Sequence, residues 1–139
     1  MEYILLDDVK EHIQELKKYI RPVGMTEHPT LVKGGVRDAD FLLSEDKKWV
    51  LPSDNGLSFA TNMKKFKSIY KLKGRLFLEV DIFAIDDMTP MPQNMKIVRD
   101  RPGHASLIVT QKMLLTDLIK NLELISQRAE HIGRIRVTS

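Results

Sequence analysis

The sequence predicts a single α+β domain in which an antiparallel or split sheet is flanked by helices. Three segments carry apolar residues at helical spacing, and several short segments carry the alternation or the turn-bounded apolar runs of strands. The connections between neighbouring strand segments are too short for parallel crossovers. The length of 139 residues is that of one domain, and no linker or internal repeat divides the chain.

The composition excludes several classes of protein and site. Hydrophobic residues make up 42% of the chain and charged residues 29%, an ordinary globular balance. The absence of cysteine excludes disulfides and thiolate metal sites, and the four histidines fall in separate segments, so no metal site is predicted. No apolar run approaches the roughly 18–20 residues that span a bilayer, and the N-terminus lacks the features of a signal peptide. We therefore expect a soluble intracellular protein without membrane insertion.

The first predicted element is a helix that begins at Asp7 or Asp8 and ends near Ile20. Its apolar residues step by four, three and four, which is one stripe of a helix: Val9, Ile13, Leu16 and Ile20. Arg21-Pro22 is expected to end it, because the residue before a proline disfavours the helical conformation. A short strand is predicted at Thr30–Lys33, before Gly34-Gly35.

The middle of the chain predicts two short strands and a second helix. Trp49–Leu51 and Leu57–Ala60 are strand segments on either side of the turn cluster 53–56. Thr61 is predicted to cap a helix that turns Phe66, Ile69 and Tyr70 inward and ends at Gly74.

Leu76–Phe83 is the clearest strand of the sequence, because its residues alternate between two faces. Glu79 and Asp81 share one of those faces. Two carboxylates at this spacing can act as acid and base or stabilise a cation. A solvated strand face explains them equally and is the interpretation we favour.

The C-terminal third predicts a loop at 86–94, strands at Lys96–Arg99 and His104–Val109, and a last helix over about Lys112–Glu130. Thr110 is the predicted helix cap. The apolar stripe of this helix should be buried, Leu118 and Leu122 above all; its members are Leu115, Leu118, Leu122, Ile125 and Ala129. The tail from Ile132 is expected to fray or to add an edge strand.

The segment 62–75 is strongly basic, with five lysines, one arginine and no acidic residue: Lys64, Lys65, Lys67, Lys71, Lys73 and Arg75. Such a patch can contact phosphates, so a non-enzymatic nucleic-acid-binding module is one candidate function. A solvated helix face is the more common explanation, and no nucleic-acid-binding signature accompanies the patch. We therefore expect no nucleic-acid partner.

The candidate site combines residues of two short strands. Ser58 and Phe59 lie on the strand that leads into the second helix, and His104 and Ser106 share a face of the strand after Arg101-Pro102-Gly103. If the two strands are neighbours, Ser58, His104 and Ser106 converge. Hydroxyls and an imidazole can hold a ribose or an amide, and a ring can stack on a nicotinamide-like plane. An ordinary strand after a turn is the alternative.

At these residues the sequence resembles a known family: the small toxins that bacteria deliver through type VI secretion and that resemble NAD-dependent ADP-ribosyltransferases. Four segments carry the resemblance: GLSFAT (56–61), DDMTPMPQNMKIVRD (86–100), GHASL (103–107) and KMLLTDLIKNLELISQRA (112–129). It implies an ADP-ribosyltransferase-like fold, NAD or an NAD-like ligand as substrate, and a cognate immunity or antitoxin protein. It also implies action in the cytoplasm of the producing cell or of a target bacterium, on an unidentified cellular target.

The resemblance also implies roles for individual residues. Ser58 would contact the ribose or the nicotinamide amide, with His104 and Ser106 on the opposite wall. The remaining NAD contacts would come from four residues: Lys33 to the pyrophosphate, Phe59 by stacking, and Gly56 and Thr61 beside it. The chain departs from the family pattern in two places. No Arg or His is predicted on the first strand, where Lys33 is the substitute, and the strand GHASL lacks the usual catalytic glutamate. The activity is therefore left open between ADP-ribosyl transfer, NAD hydrolysis and an inactive site.

Overall fold

In the described part of the chain, seven antiparallel strands form the main sheet. The computed structural model describes residues 2–3, 18–24, 31–32, 36–62, 64–68 and 79–138. In chain order the elements are β1 (Glu2–Tyr3), β2 (Lys18–Gly24), β3 (Trp49–Val50), β4 (Leu57–Ala60), β5 (Glu79–Asp86), β6 (Met95–Arg101), β7 (His104–Val109), β8 (Met113–Leu114), α1 (Leu115–Gln127) and β9 (Glu130–Thr138), and residues 64–68 are also helical. The sheet order is β1-β9-β5-β2-β4-β7-β6, and β3 and β8 form a separate small sheet. The predicted α+β class with an antiparallel sheet is confirmed.

The strands β4 and β7 have the predicted bounds, and β6 includes the predicted Lys96–Arg99. The turn between β6 and β7 depends on Gly103, whose φ is 76°. A Cβ at this position would lie 2.1 Å from Nδ2 of Asn62. The turn therefore needs glycine both for its backbone conformation and for its packing.

The end of the predicted N-terminal helix is wrong, because Ile20, Arg21 and Pro22 lie in the strand β2. This strand pairs with β5 along its whole length, from Lys18 opposite Asp86 to Gly24 opposite Val80. Pro22 is tolerated inside the sheet because β2 pairs with β4 at one position only, Ile20 opposite Ala60. The pairing of β2 with β5 therefore outweighs the local tendency of Arg21-Pro22 to end a helix. Residues 4–17 of the predicted helix lie outside the described residues.

Two predicted boundaries in the first half of the chain also differ. Leu31 and Val32 are not in a strand, and the flanking Thr30 and Lys33 lie outside the described residues. The helical residues 64–68 are capped by Asn62, whose Oδ1 accepts from the Lys65 amide at 2.9 Å. Asn62, and not Thr61, is therefore the cap, and the Thr61 amide donates to the Gly103 carbonyl at 2.8 Å.

The expectation that Glu79 and Asp81 lie on a solvated strand face is wrong for Asp81, which is fully buried. The cause is the position of β5 between β9 and β2, which buries every residue of the strand from Val80 to Ile85. A register shift between Ile82 and Phe83 also interrupts the pairing with β9. Residues 76–78 of the predicted strand lie outside the described residues.

The C-terminal helix begins later than predicted. Thr110 does not cap it, because Met113 and Leu114 first pair with β3 and the N-cap is Leu114. The predicted apolar stripe is confirmed at its centre, since Leu118, Leu122 and Ile125 are buried against the sheet. The tail forms β9, which lies between β5 and β1 rather than at the edge.

Both faces of the sheet are buried around β4. Leu57 and Phe59 point into the core that α1 covers, and on the other face Ala60 and Ile20 are also fully buried. The strands that carry the candidate site are thus packed on two sides and hold their side chains in fixed positions. The helices of the described ranges are all too short or too polar to span a bilayer.

Candidate functional site

The strands β4 and β7 are neighbours, which is the condition that the candidate site required. Ser58 lies directly opposite Ser106, and Ala60 lies opposite His104. Residues opposite each other in an antiparallel pair share a face, with Cβ atoms roughly 4.5–5.5 Å apart. Ser58, Ser106 and His104 therefore lie on one face of the sheet.

A carboxylate that the sequence analysis did not assign joins this group. Asp100 Oδ1 accepts a hydrogen bond from His104 Nδ1 at 2.6 Å, and its Oδ2 accepts from Ser106 Oγ at 2.8 Å. The register of β6 and β7 shifts between Val98 and Arg101, which leaves Asp100 in a β-bulge. The bulge aims the carboxylate across the hairpin at His104 and Ser106.

The members of this cluster differ in how deeply their side chains are buried. The side chain of His104 is 3% exposed and Ser106 is 3% exposed, whereas the side chain of Asp100 is 29% exposed. Ser58 is half-buried. The groups that a ligand can reach are therefore Asp100 and Ser58, while His104 and Ser106 hold Asp100 from behind.

The Asp100 carboxylate is ionised at neutral pH. Burial raises its pKa, but the hydrogen bonds from His104 and Ser106 outweigh this effect and hold the pKa below the ordinary 3.8. An ionised carboxylate only accepts hydrogen bonds, so the proton between Asp100 and His104 lies on Nδ1 of the imidazole. The cluster therefore presents a fixed negative charge.

Sequence reasoning missed Asp100 because it treated residues 99–101 as the end of a strand and a turn. In the register next to the turn Arg101, and not Asp100, is opposite His104. Asp100 reaches His104 and Ser106 only because the pairing shifts between Val98 and Arg101, and a single sequence does not display that shift.

Arg21 is a second residue that sequence reasoning missed, since Arg21-Pro22 was interpreted as a helix end. Its Nη1 donates to the Ser58 carbonyl at 2.9 Å, and its Nε donates to the Leu31 carbonyl at 2.7 Å. Extending the register of β2 and β4 places Pro22 opposite Ser58, and proline has no amide hydrogen to donate. The guanidinium of Arg21 thus supplies a hydrogen bond to the strand that carries Ser58.

The Arg21 side chain is charged although it is only 2% exposed. Burial lowers its pKa to about 10, which still leaves it protonated at neutral pH. Because Arg21 is buried and its side chain lies on the face opposite to the Ser58 side chain, its observed role is to hold the backbone of β4 and of Leu31. Lys33 itself lies outside the described residues.

The remaining predicted contact residues do not face the polar cluster. Phe59 is fully buried on the opposite face from Ser58, edge-on to Tyr19 with ring centroids 6.4 Å apart, so stacking on a ligand does not fit its position. Thr61 is also buried. Gly56 has a packing role, because a Cβ there would lie 2.0 Å from the Leu107 carbonyl oxygen.

An open groove of about 390 Å³ adjoins the cluster. It lies on the same face, because Lys96 is opposite Ile108 just as Val98 is opposite Ser106. Its lining residues come from the loop before β4, from β6 and from the end of β7: Pro52, Ser53, Asp54, Lys96, Ile108, Val109 and Thr110.

A second charged cluster lies on β5 and β9. Asp81 Oδ1 accepts from His131 Nε2 and from Arg134 Nε, each at 2.8 Å, and Arg134 Nη2 donates to Oδ2 at 3.3 Å. The carboxylate is fully buried and the side chains of His131 and Arg134 are half-exposed. The hydrogen bonds that Arg134 donates to Asp81 raise the pKa of Arg134, which stays protonated.

Within the described ranges, no group of three or more histidine or acidic side chains has an arrangement that could hold a metal ion. No protein-family model, no curated protein and no solved structure matches this chain. Its function is therefore inferred from the geometry around Asp100 and Ser58 and from the resemblance of the four segments between Gly56 and Ala129.

Proposed function

We propose that this chain is a bacterial toxin or effector domain with an ADP-ribosyltransferase-like fold that cleaves the nicotinamide–ribose bond of NAD or an NAD-like nucleotide. The observation that carries the proposal is the ionised Asp100 carboxylate, which is partly exposed and fixed by hydrogen bonds from His104 and Ser106. Ser58 lies on the same face, on the other side of Ser106. A fixed anion and a hydroxyl on one face suit a reaction that develops positive charge on a ribose ring.

The chemistry requires little else from the protein. When the bond breaks, its electron pair goes to the nicotinamide nitrogen, and the positive charge passes to C1 and the ring oxygen of the ribose. A preorganised negative charge lowers the energy of that state, because it does not have to reorient during the reaction. His104 and Ser106 would provide this preorganisation, and Ser58 would orient the ribose or the nicotinamide amide.

The acceptor determines whether the activity is hydrolysis or transfer. In hydrolysis, water gives an electron pair to C1 and loses a proton, so NAD and water yield ADP-ribose, nicotinamide and one proton. In transfer, a nucleophilic side chain of a target protein takes the place of water and loses the proton. Both routes release nicotinamide, which makes its release the first quantity to measure.

The ADP-ribosyltransferase-like fold is proposed from the sequence resemblance. Arg21, Ser58 and His104 lie on three successive strands, β2, β4 and β7. Members of the resembled family usually carry an Arg or His on their first strand, and Arg21 is the described arginine on a strand next to β4. It is buried and donates to the backbone carbonyl of Ser58, on the face opposite to the Ser58 side chain, so it would hold the strand and not contact NAD.

A domain that consumes NAD harms any cell that contains it. We therefore propose that a cognate immunity or antitoxin protein neutralises this chain. We also propose that the chain acts in the cytoplasm of the producing cell or of a target bacterium. Delivery by type VI secretion is proposed from the sequence resemblance alone. The alternative, a nucleic-acid-binding module, gains no specific support, because residues 69–75 of the basic segment lie outside the described residues.

The test measures nicotinamide release from NAD by the purified protein. We expect release by the wild type, a loss of about 100-fold in Asp100→Asn and of about 10-fold in Ser58→Ala, because each removes a contact to the reacting sugar. The matched control is Asp38→Asn, which removes an exposed carboxylate from another part of the surface. Thermal midpoints measured alongside show whether each variant is folded.

Induced expression in bacteria provides the second readout. Wild-type protein should arrest growth, and Asp100→Asn and Ser58→Ala should not. His104→Ala is a poor test of function, because His104 is buried and its loss will also reduce stability. A wild-type protein that neither releases nicotinamide nor arrests growth would show that the proposal is wrong.

A further inference from the structure

We infer that the groove beside Asp100 and Ser58 binds the phosphate-bearing and adenosine-bearing half of a dinucleotide, with Lys96 as the counter-charge to a phosphate. The inference rests on the proposed function of the adjoining cluster. It assigns to the substrate a second anchoring point that the sequence analysis had placed at Lys33.

The position of the groove fits one continuous ligand. Lys96 and Ile108 form the cross-strand pair next to Val98 and Ser106 on the same face. Two residues along a strand cover roughly 7 Å. A nucleotide whose ribose lies at Asp100 and Ser58 can therefore extend along β6 and β7 and place its phosphates at Lys96.

The lining supplies the groups that such a ligand needs. Lys96 is exposed, and in the described part of the chain it takes part in no ion pair, so its ammonium group is available to a phosphate. Asp54 can accept hydrogen bonds from sugar hydroxyls, and the hydroxyl of Thr110 can donate or accept. Pro52, which is exposed, adds an apolar surface for a base.

The size and floor of the groove agree with this role. Its volume of about 390 Å³ falls in the usual range of small-molecule sites, about 300–1,000 Å³. Gly56 allows β4 to approach the strand that lines the groove, because a Cβ there would lie 2.0 Å from the Leu107 carbonyl oxygen. A larger residue at 56 would displace the backbone of β7 next to Ile108.

The experiment compares two substrates, NAD and nicotinamide riboside, which lacks the phosphates and the adenosine. We expect Lys96→Gln to lower kcat/KM for NAD about 10-fold through KM and to leave kcat/KM for nicotinamide riboside unchanged. Lys67→Gln, which removes an exposed lysine outside the groove, is the matched control. The thermal midpoint of each variant is measured with the kinetics.

The two proposals fail in different ways. If Lys96→Gln changes both substrates equally or changes neither, the groove inference is wrong while NAD cleavage by the wild type still supports the proposed function. If the wild type cleaves neither substrate, calorimetric titration with ADP tests phosphate binding in the groove independently of cleavage. ADP binding that Lys96→Gln weakens about 10-fold supports a phosphate site, and the absence of ADP binding overturns it.

Discussion

Two aspartate–histidine pairs lie in the same sheet with opposite patterns of burial. In one pair Asp81 is fully buried and the side chain of His131 is 49% exposed. In the other His104 is 3% exposed and the side chain of Asp100 is 29% exposed. The same two residue types thus place a histidine at the surface in one cluster and a carboxylate in the other.

The difference separates a structural pair from a candidate functional one. Asp81 receives a guanidinium from Arg134 as well as the imidazole, so its charge is compensated inside the protein. Asp100 receives hydrogen bonds from His104 and a neutral hydroxyl, and it remains partly open to solvent. A carboxylate that is fixed but not fully compensated can still act on a bound cation.

The largest effect is expected when the compensation of Asp81 is removed. Arg134→Met leaves a buried carboxylate without its guanidinium, and we expect the thermal midpoint to fall by on the order of 10 °C. Arg128→Met, which removes an exposed arginine bonded only to the Pro90 carbonyl among the described contacts, should change it little. Scanning calorimetry of the three proteins gives the comparison.

A double substitution sharpens this prediction. The double variant that combines Arg134→Met with Asp81→Leu removes the buried charge together with its partner. Such replacements of a whole ion pair are often neutral in stability. We expect the double variant to recover most of the lost midpoint. A double variant as unstable as Arg134→Met would mean that packing, rather than the uncompensated charge, causes the loss.

A smaller effect distinguishes the two histidines. His104→Ala should cost roughly 2 kcal/mol of unfolding free energy, because it empties a buried position and removes a donor to Asp100. His131→Ala should cost clearly less, since its side chain is half-exposed and Asp81 keeps Arg134. Urea denaturation measures both, and equal losses would contradict the assigned burial.

The smallest effect concerns acid stability. The folded-state pKa of Asp100 is held below its ordinary 3.8, so Asp100 stabilises the fold above the unfolded-state pKa and loses that contribution as the pH falls through the folded value. We expect the thermal midpoint of Asp100→Asn to fall less steeply than that of the wild type below about pH 4. Parallel slopes for the two proteins would contradict a lowered pKa.

The local sequence pattern was sufficient to predict two short strands and the buried face of the C-terminal helix. Turn residues and alternation predicted β4 and β7 with their bounds, and the four-and-three spacing predicted the buried face of α1. That Ser58 and Ser106 lie side by side could be predicted only on the condition that their two strands pair. Strand pairing is set by contacts between distant residues, which a single sequence does not display.

The errors occur where tertiary pairing outweighs a local signal. Arg21-Pro22 has the form of a helix end, but β5 pairs with this segment along seven positions, and the Arg21 side chain bonds to β4 where Pro22 offers no amide. Asp81 follows the alternation of a solvated face, but its strand lies inside the sheet. Asp100 enters the site through a bulge, which no periodicity predicts.

The pairing of β1 with β9 brings the two ends of the described chain together, with Glu2 opposite Thr138. β1 is one edge strand of the sheet, with β9 next to it, and β6 with Asp100 and Lys96 is the other edge strand. A tag, an anchoring sequence or a carrier protein joined at either end will therefore leave the molecule on the side away from the groove. Surface attachment through either terminus, or through both at once, should leave access to the groove unobstructed.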